Sequence, residues 1–281
     1  MFERISSSLN KKPISFQVLS DLHLELNQQY TSFEIPVRAK HLILAGDIGR
    51  LVDYDSYRSF LQKQTDQFEV VFLVLGNHEF YNESYVTGLE KAKQLEQEPC
   101  LNGRLVLLNQ TAYNIPGSDI TVLGCTLWSK VPDEAKETVQ LKIQDFKKIQ
   151  DWTINDHNAS HEADLTWLLN EIKSFQSHNA SKTQNQKRSI LIVTHHAPSL
   201  QNTSSPQHTS SPWSCAFGTD ILSQIADLSA VKAWVFGHTH YSTEFREEGV
   251  LVLANQRGYV LPWNDVMEVK NGFDAGRVIR V

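Results

Sequence analysis

Short apolar segments that stop at turn-forming or polar residues are the feature that most constrains the fold of this 281-residue chain. Their length and their content of valine, isoleucine and phenylalanine favour buried strands over helices. Eight such segments recur along the sequence, at 14–20, 41–46, 70–76, 105–108, 120–124, 190–194, 233–237 and 250–255. The chain is therefore predicted to be built around β-sheets.

Helical patterns lie between several of these segments. In 162–175 apolar side chains recur at three- and four-residue spacing, which predicts a helix with one apolar face, and Ser160 is a candidate for its N-cap. The stretch 135–150 is also compatible with a helix. Strand–helix alternation in residues 14–100 predicts an α/β layered fold, and the closer spacing of the later strands predicts a second, partly antiparallel sheet.

Composition indicates which partners the chain can bind and in which compartment it works. A formal charge of −6 argues against broad electrostatic capture of nucleic acid or an anionic membrane, but a bound metal can still attract an anionic substrate. Three widely spaced cysteines without a Cys-x-x-Cys motif are typical of reduced thiols inside the cell. No signal-peptide or membrane-span pattern is present, so we expect a cytoplasmic protein. Without a break in composition, residues 1–281 are predicted to form a single domain, and the oligomeric state stays open.

Polar side chains follow five of the predicted strands at the point where each strand ends. In an open α/β sheet, ligands bind at the carboxyl ends of the strands. Residues at i and i+2 of an extended backbone point the same way, so pairs with this spacing are expected to form two-pronged clamps. The residues in question are Asp21 and His23, Asp47, Asn77 and His78, His195 and His196, and His238 and His240.

The donor types at these strand ends indicate a metal centre. Carboxylate, imidazole and amide oxygen together suit manganese, iron or zinc better than magnesium or calcium, which prefer oxygen alone. The donors are too many for one ion. Two ions roughly 3.5–4 Å apart that share an aspartate, as in two-metal hydrolases, would use them all.

The order of these motifs resembles that of the calcineurin-like metallophosphoesterase superfamily. The matching elements extend from residue 21 to residue 240, and the stretch "NQRGY" at 255–259 is similar to a subgroup of small phosphoesterases. The elements are Asp21-x-His23, Gly46-Asp47, Gly76-Asn77-His78-Glu79, His195 and Gly237-His238-x-His240. The resemblance implies an αββα sandwich, in which two mixed β-sheets are flanked by helices.

The resemblance also implies a role for each matched residue. Two divalent or trivalent ions (Mn²⁺, Fe²⁺/Fe³⁺ or Zn²⁺) would be bridged by Asp47, while His78 would contact the phosphate and protonate the leaving oxygen. The first ion would be held by Asp21, His23 and His240, and the second by Asn77, His195 and His238. The family often has a second aspartate three residues after the bridging one, where this chain has Arg50. We expect Arg50 either to stabilise a neighbouring loop or to reach phosphate.

Further residues near the motifs have two interpretations each. Glu79 either bonds a ligand histidine or caps a turn, and His196 either lines the site or lies behind a ligand. His157 and His161 are expected to be solvated near a helix start, although a histidine before such a helix in the similar subgroup makes His161 a candidate for substrate contact. Four aromatic residues either line a nucleobase or aryl pocket or serve packing, namely Tyr81, Trp213, Phe217 and Tyr241. The polar stretch 199–218 is expected to form part of the rim.

The function predicted from these patterns is hydrolysis of small phosphate esters. Hydroxide held between two metal ions would attack phosphorus, because metal binding lowers the pKa of water from 15.7 to roughly 7. Phosphodiesters, including cyclic nucleotides, are the favoured substrates because the chain has no large protein-docking extension. The alternatives are a phosphomonoesterase or protein phosphatase and, from another class, a non-catalytic metal-binding scaffold. Nucleic acid is an unfavoured partner given the negative charge.

Overall fold

The computed structural model describes residues 13–260 and 272–281. Within these residues eleven strands form two sheets, and helices pack on the outside of both. The helices are α1 (Tyr54–Gln67), α2 (Tyr85–Glu96), α3 (Lys136–Lys142), α4 (Asp145–Lys148) and α5 (Ile154–Ala180). The strands are β1 (Ser15–Leu19), β2 (His41–Ala45), β3 (Val70–Val74), β4 (Leu105–Leu107), β5 (Thr111–Asn114), β6 (Ile120–Cys125), β7 (Ser189–Thr194), β8 (Val231–Phe236), β9 (Thr243–Glu247), β10 (Val250–Ala254) and β11 (Val278–Arg280).

The first sheet has the strand order β11-β1-β2-β3-β4. Strands β1 to β4 are parallel, and β11 pairs antiparallel with β1 at one edge. Helix α1 connects β2 to β3, and α2 lies between β3 and β4. The carboxyl ends of β1, β2 and β3 therefore meet at one edge of this sheet, as the strand–helix alternation predicts.

The second sheet has the order β5-β6-β7-β8-β10-β9. Its four central strands are parallel, whereas β5 and β9 pair antiparallel at the two edges. The predicted second, partly antiparallel sheet is confirmed. Both sheets are mixed and flanked by helices, which is the αββα sandwich expected from the sequence.

Three apolar layers hold the sandwich together. Alternate strand residues of both sheets meet in the central layer, where Val18 and Val74 of the first sheet join Val193 and Val235 of the second. The opposite faces pack outward, against α1 and α2 on one side and α5 on the other. Because both faces are buried, the central strands read as continuous apolar runs.

Three strands were absent from the sequence prediction, and all three are edge strands. The side chains of β5 and β9 alternate between half-buried and exposed, and only the middle residue of β11 is buried. An edge strand of this kind lacks the continuous apolar run that identifies a central strand. Its pairing is decided by the neighbouring strand rather than by its own composition.

Helix α5 begins earlier than the sequence predicts. Its N-cap is Thr153, which forms a capping box with Asp156, so the assignment of Ser160 as the N-cap is wrong. The first turns carry polar side chains that are nevertheless buried. His157 and His161 are 1% and 2% exposed, and the expectation that they are solvated is also wrong. The apolar pattern identifies only the later turns, which pack on the sheet.

The stretch 135–150 forms two short helices instead of one. Helix α3 ends at Lys142, and the chain is extended at Ile143 before α4 begins at Asp145. This break directs Asp145 inward, where its side chain is buried.

None of the helices in the described residues combines the length and the apolarity needed to cross a membrane. The cysteines Cys100, Cys125 and Cys215 are all free, which agrees with the thiol state expected from their spacing.

Candidate metal centre

The predicted ligands lie together where strands from both sheets end. The first sheet contributes the residues that follow β1, β2 and β3, and the second contributes those that follow β7 and β8. These residues are Asp21, His23, Asp47 and Asn77 from the first sheet, and His195, His238 and His240 from the second. Because these strands of both sheets end on the same side of the sandwich, donors that are more than two hundred residues apart in sequence come together.

One group of potential ligand atoms is supplied by Asp21, His23, Asp47 and His240, all within 4.8 Å of one another. His23 Nε2 lies 2.9 Å from His240 Nε2, and His240 Nε2 lies 3.5 Å from Asp21 Oδ1. Two imidazole nitrogens and two carboxylates thus converge on one point. This is a donor set that manganese, iron and zinc accept.

A second group consists of Asp47, His195 and His238, again within 4.8 Å of one another. His195 Nε2 lies 3.4 Å from Asp47 Oδ1 and 3.1 Å from Asn77 Oδ1. The amide oxygen of Asn77 therefore points into this group. Asp47 is common to both groups, so its carboxylate lies between them.

The protonation preferences of these groups fit a cation-binding centre. Burial lowers the pKa of His23 to about 3 and the pKa values of His238 and His240 well below the usual range, which keeps these imidazoles neutral with a lone pair to offer. Burial also raises the pKa of Asp21 to about 8, against the opposing effect of His195. A buried carboxylate of this kind is stabilised in its charged form by a nearby cation. His195 differs. Although burial opposes it, the negative charges of Asp47 and Asp21 raise the pKa of His195 to about 10, so a metal ion that takes it as a ligand must displace a proton.

The backbone at the site is strained. Five of the predicted ligands have φ between 48° and 72°, in the left-handed region that non-glycine residues rarely adopt. These residues are Asp21, His23, Asp47, His238 and His240. The expected clamps exist, but extended backbone does not produce them. Each side chain is directed inward by a sharp turn just after its strand, and such strain is concentrated at functional sites.

Two glycines before the predicted ligands are required by close packing. A Cβ atom on Gly76 would lie 2.3 Å from Asp47 Oδ1, and a Cβ on Gly46 would lie 2.3 Å from His195 Nδ1. Gly46 also has a φ of +88°. The glycines make room for the ligand side chains of neighbouring strands.

Glu79 fixes the backbone that carries Asp47. Its carboxylate accepts hydrogen bonds from the backbone N–H groups of Asp47 (2.9 Å), Ile48 (2.8 Å) and Gly76 (2.6 Å) and from the hydroxyl of Tyr57 (3.0 Å). These bonds connect the end of β2 to the end of β3. None of these partners is a ligand histidine, so of its two predicted roles the bonds of Glu79 to backbone N–H groups fit that of a capping carboxylate.

His78 lies beside both groups with its two ring nitrogens engaged differently. Its Nδ1 is 2.8 Å from Glu25 Oε1, and its Nε2 is 3.1 Å from the hydroxyl of Tyr259. Its backbone N–H donates to Asp47 Oδ1 at 2.8 Å. Although burial opposes it, the negative charges of Asp47 and Glu25 raise the pKa of His78. Sequence reasoning missed Glu25, which continues the alternate spacing of Asp21 and His23 and could have been found from it.

Asp145 is a second contact that sequence reasoning missed. Its Oδ1 accepts hydrogen bonds from Asn77 Nδ2 at 2.8 Å and from the hydroxyl of Tyr81 at 2.7 Å. The first bond turns the amide oxygen of Asn77 toward His195. No local signal marks Asp145, because 68 residues separate it from Asn77.

Arg50 pairs with its own loop. Its Nε lies 3.0 Å and its Nη2 2.9 Å from Asp53 Oδ2, and its backbone N–H donates to the hydroxyl of Tyr30. Of the two expected roles, this geometry fits loop stabilisation. Arg50 is not among the described residues that line the cleft above the site.

His196 and His161 both lie behind the centre. The ring of His196 is fully buried and packs 4.1 Å from the ring of His238, centroid to centroid. Its neighbour on the other side is Trp128, at 5.3 Å. The Nδ1 of His161 lies 3.0 Å from the backbone carbonyls of Leu127 and Trp128. Neither histidine is among the described lining residues of the cleft.

A cleft of 1260 Å³ opens above the two groups of ligand atoms. Its floor includes Asp47, Asn77, His78, His238 and His240. Residues 142–145 line it together with much of the polar stretch 199–218, and the two segments adjoin, since Lys142 Nζ lies 5.7 Å from the ring centroid of Trp213. The polar stretch is therefore part of the rim as expected. The four aromatic residues singled out in the sequence, Tyr81, Trp213, Phe217 and Tyr241, all line this cleft.

The family of this chain follows from the comparison of its sequence with known families. The model of the calcineurin-like phosphoesterase family, Metallophos, matches residues 14–242. This match includes every predicted ligand, and the chain belongs to the calcineurin-like phosphoesterase family. Membership implies a hydrolase of phosphoric esters that uses a dinuclear metal centre, in agreement with the two groups of His and Asp ligands.

A viral protein and two solved structures are similar to this chain. The uncharacterised protein L509 of Acanthamoeba polyphaga mimivirus is 30% identical over an alignment of 267 residues, and the match covers 86% of this chain and 90% of the viral protein. Phosphopantetheinyl hydrolase PptH from Mycobacterium tuberculosis has a similar fold, with a TM-score of 0.62 at 16% identity over 96% of both chains. A dimetal phosphatase from Danio rerio has a TM-score of 0.47 at 14% identity over 86% of this chain and 87% of its own.

Proposed function

We propose that this chain is a dinuclear metal-dependent phosphodiesterase that acts on small molecules, and that cyclic nucleotides are among its substrates. In this proposal Asp47 bridges two ions of manganese, iron or zinc. His78 is the catalytic residue that contacts the phosphate. Asp21, His23 and His240 hold one ion, and Asn77, His195 and His238 hold the other. The proposal also treats the chain as a single domain that works in the cytoplasm.

The observation that carries the proposal is the position of Asp47. It belongs to both groups of ligand atoms, and both lie at the floor of the cleft beside His78. A shared carboxylate is what two ions need to stand close enough to act on one phosphate. A scaffold that only bound metal would not need a titratable group facing the same cleft.

The cleft has room for a diester. Its 1260 Å³ far exceeds the volume of a phosphate group, so organic groups of the ester can lie within it. A diester carries two such groups and a monoester carries one. Aromatic residues that line the cleft, such as Tyr81 and Trp213, suit a planar group.

The chain's own residues would contribute to the reaction in separate ways. When bound, the two ions would supply positive charge for the phosphoryl oxygens and make hydroxide available near neutral pH. Glu79 accepts a hydrogen bond from the backbone N–H of Asp47 and so holds this residue in place before the substrate arrives. His78 Nε2 faces the cleft and can donate a proton to the leaving oxygen, while its Nδ1 stays bonded to Glu25.

The proposal is tested with paired chromogenic aryl phosphates. Metal-stripped protein is reloaded with Mn²⁺ or left bare, and hydrolysis of bis(4-nitrophenyl) phosphate is compared with that of 4-nitrophenyl phosphate. We expect Mn²⁺-dependent turnover that favours the diester. A preference for the monoester would replace the proposal with a phosphomonoesterase or protein phosphatase, and metal binding without any turnover would favour the scaffold.

Two matched variants test the bridging role of Asp47. Asp47→Asn is expected to lower turnover by at least about 100-fold, because it removes one of the charges on which both ions depend. Asp164→Asn is the control, since Asp164 is a carboxylate on α5 that is equally buried but does not line the cleft among the described residues. Equal activity in both variants would contradict the bridging role.

Natural substrates are then tested in two classes. Cyclic nucleotides come first, because the aromatic lining suits a base. Phosphopantetheinyl esters are the second class, because PptH, whose fold is similar, is a phosphopantetheinyl hydrolase. The steady-state kcat/KM for each class decides between them.

A further inference from the structure

We propose that Glu25 is a positioning residue that decides which ring nitrogen of His78 faces the cleft. The inference rests on the proposed function, because it concerns the residue assigned there as the proton donor. It adds a residue outside the set that the family pattern identifies.

The geometry places one carboxylate oxygen against two imidazoles. Glu25 Oε1 lies 2.8 Å from His78 Nδ1 and 3.5 Å from His23 Nδ1. The two imidazole Nδ1 atoms are 3.2 Å apart. All three residues form a group of potential ligand atoms of their own, but the carboxylate faces the Nδ1 side of each ring, away from the nitrogens that point to Asp47 and to the cleft.

A carboxylate at this position selects one tautomer of His78. An ionised carboxylate only accepts hydrogen bonds, so His78 Nδ1 must carry a proton to bond it. His78 Nε2 is then the atom that faces the cleft, 3.1 Å from the hydroxyl of Tyr259. Any proton passed to a leaving oxygen must come from Nε2.

His23 lies on the other side of the same carboxylate oxygen. Its Nδ1 is 3.5 Å from Glu25 Oε1, which is longer than a hydrogen bond, and its Nε2 lies 2.9 Å from His240 Nε2 and 3.9 Å from Asp47 Oδ2. The hydrogen bond that carries the inference is therefore the one between Glu25 and His78.

Glu25 is buried, so its carboxylate depends on hydrogen-bond partners from the protein. The residue is only 9% exposed, and its Oε2 has no hydrogen-bond partner within the described part of the chain. A buried carboxylate is costly unless it is paired, so its pairing with the two imidazoles accounts for its presence here.

The experiment measures leaving-group dependence in Glu25→Gln and Glu25→Met. A series of aryl phosphodiesters is used in which the pKa of the leaving phenol rises step by step. With the proton donor misplaced, kcat should fall by roughly 10–100-fold for the poorest leaving group and by less for the best, since good leaving groups need no proton. The slope of log kcat against leaving-group pKa should therefore become steeper.

A matched control separates this role from loss of a buried charge. Glu83→Gln removes another glutamate that is 9% exposed and has an unpartnered Oε2, but Glu83 pairs with Lys91 outside the cleft. We expect Glu83→Gln to keep the wild-type slope. Equal slopes in the wild type, Glu25→Gln and Glu25→Met would overturn the inference.

A second readout does not depend on turnover. The ¹⁵N NMR shifts of the His78 ring in zinc-loaded protein, assigned with His78→Gln, report which nitrogen carries the proton. Protonation at Nδ1 in the wild type and a mixed or reversed state in Glu25→Met would support the inference. An unchanged Nδ1-protonated ring in Glu25→Met would overturn it. If the wild type bound metal but hydrolysed no aryl ester, the proposed function would fail, and these shifts would still decide the role of Glu25.

Discussion

Asp145 shows how a residue that is distant in sequence can orient a proposed metal ligand, Asn77. A primary amide has an oxygen and a nitrogen of similar size, so a free Asn77 could present either one to a metal. The carboxylate of Asp145 accepts from Asn77 Nδ2, and only the oxygen remains for the metal centre. Asp145 is buried, and Tyr81 donates to the same oxygen atom.

We therefore expect Asp145→Ala to weaken the second metal site selectively. The loss should be about 10–100-fold in affinity for one of two ions, as is usual when a group that orients a ligand is removed. Titration with Mn²⁺ followed by EPR and by metal analysis would measure it. Asp164→Ala is the control, because Asp164 is a buried carboxylate that does not line the cleft among the described residues. Loss of both ions together in Asp145→Ala would contradict a selective effect.

His157 makes the stability of the protein depend on pH. Burial lowers its pKa from 6.5 to about 3, and its Nε2 is 3.2 Å from the hydroxyl of Ser129. The unfolded chain binds a proton near pH 6.5, whereas the native protein resists it until about pH 3. Above pH 6.5 His157 is neutral in both states and does not lower the free energy of unfolding. As the pH falls from 6.5 toward 3, the free energy of unfolding decreases by ~1.4 kcal/mol per pH unit because of this residue.

The variant His157→Phe should remove this contribution. Between pH 6 and pH 4 its free energy of unfolding should fall less steeply than that of the wild type. The difference in slope should be about 1.4 kcal/mol per pH unit, which corresponds to one bound proton. Urea unfolding at several pH values measures the slope. His208→Phe is the control, because His208 is exposed. Parallel slopes in the wild type and His157→Phe would contradict the argument.

At the scale of elements, α5 shows where local patterns are sufficient and where they are not. The three- and four-residue spacing identifies the turns that pack on the second sheet, where Leu168 and Ile172 are buried. The start of the helix lies instead over the segment 127–131, and Asp164 accepts from the backbone N–H of Leu127 there. Polar burial of this kind has no periodic apolar signature.

The capping box of α5 offers a direct test. Thr153→Ala should lower the free energy of unfolding by about 1 kcal/mol, because it leaves the N–H of Asp156 without its acceptor. Ser177→Ala in the last turns of the same helix should change stability by less than about 0.5 kcal/mol, since an exposed serine to alanine change favours the helix slightly. Thermal or urea unfolding of both variants measures the difference. Equal losses of stability in the two variants would contradict the role of Thr153 as the N-cap.

At the scale of the whole molecule, the candidate metal centre joins the two sheets. Its proposed ligands come from β1, β2 and β3 on one side and from β7 and β8 on the other. Ions bound there would hold together two sheets that otherwise meet through apolar side chains. Binding to the native state alone stabilises it by about 2.7 kcal/mol at a hundredfold excess over Kd.

Metal removal should therefore lower thermal stability. We expect a lower Tm in chelator than in Mn²⁺, and a much smaller difference for Asp47→Asn, which lacks the proposed bridge. Asp164→Asn should keep the wild-type difference. Calorimetry measures all three, and a Tm of the wild type that is insensitive to metal would contradict the assignment of the centre.

Much of the fold could be predicted from the sequence, because central strands buried on both faces leave an unbroken apolar run. The motif order that follows these strands was sufficient to predict the αββα sandwich and the family. The predicted ligands do lie together, although their metal roles stay proposals, as does the single domain. Edge strands such as β5 and β9 were not predictable, because their pairing depends on a neighbour and not on their own side chains.

The sequence by itself determined which donors are available and in what order they follow the strands. Only the tertiary structure decided how those donors are oriented. Glu25, Glu79 and Asp145 act through hydrogen bonds to groups that are near in space, and for Asp145 the partner is 68 residues away. Hydrogen bonds depend on distance and angle, which a linear pattern does not contain. The left-handed turns at the ligands are likewise maintained by the packing around them, since their own residue types would favour another backbone conformation.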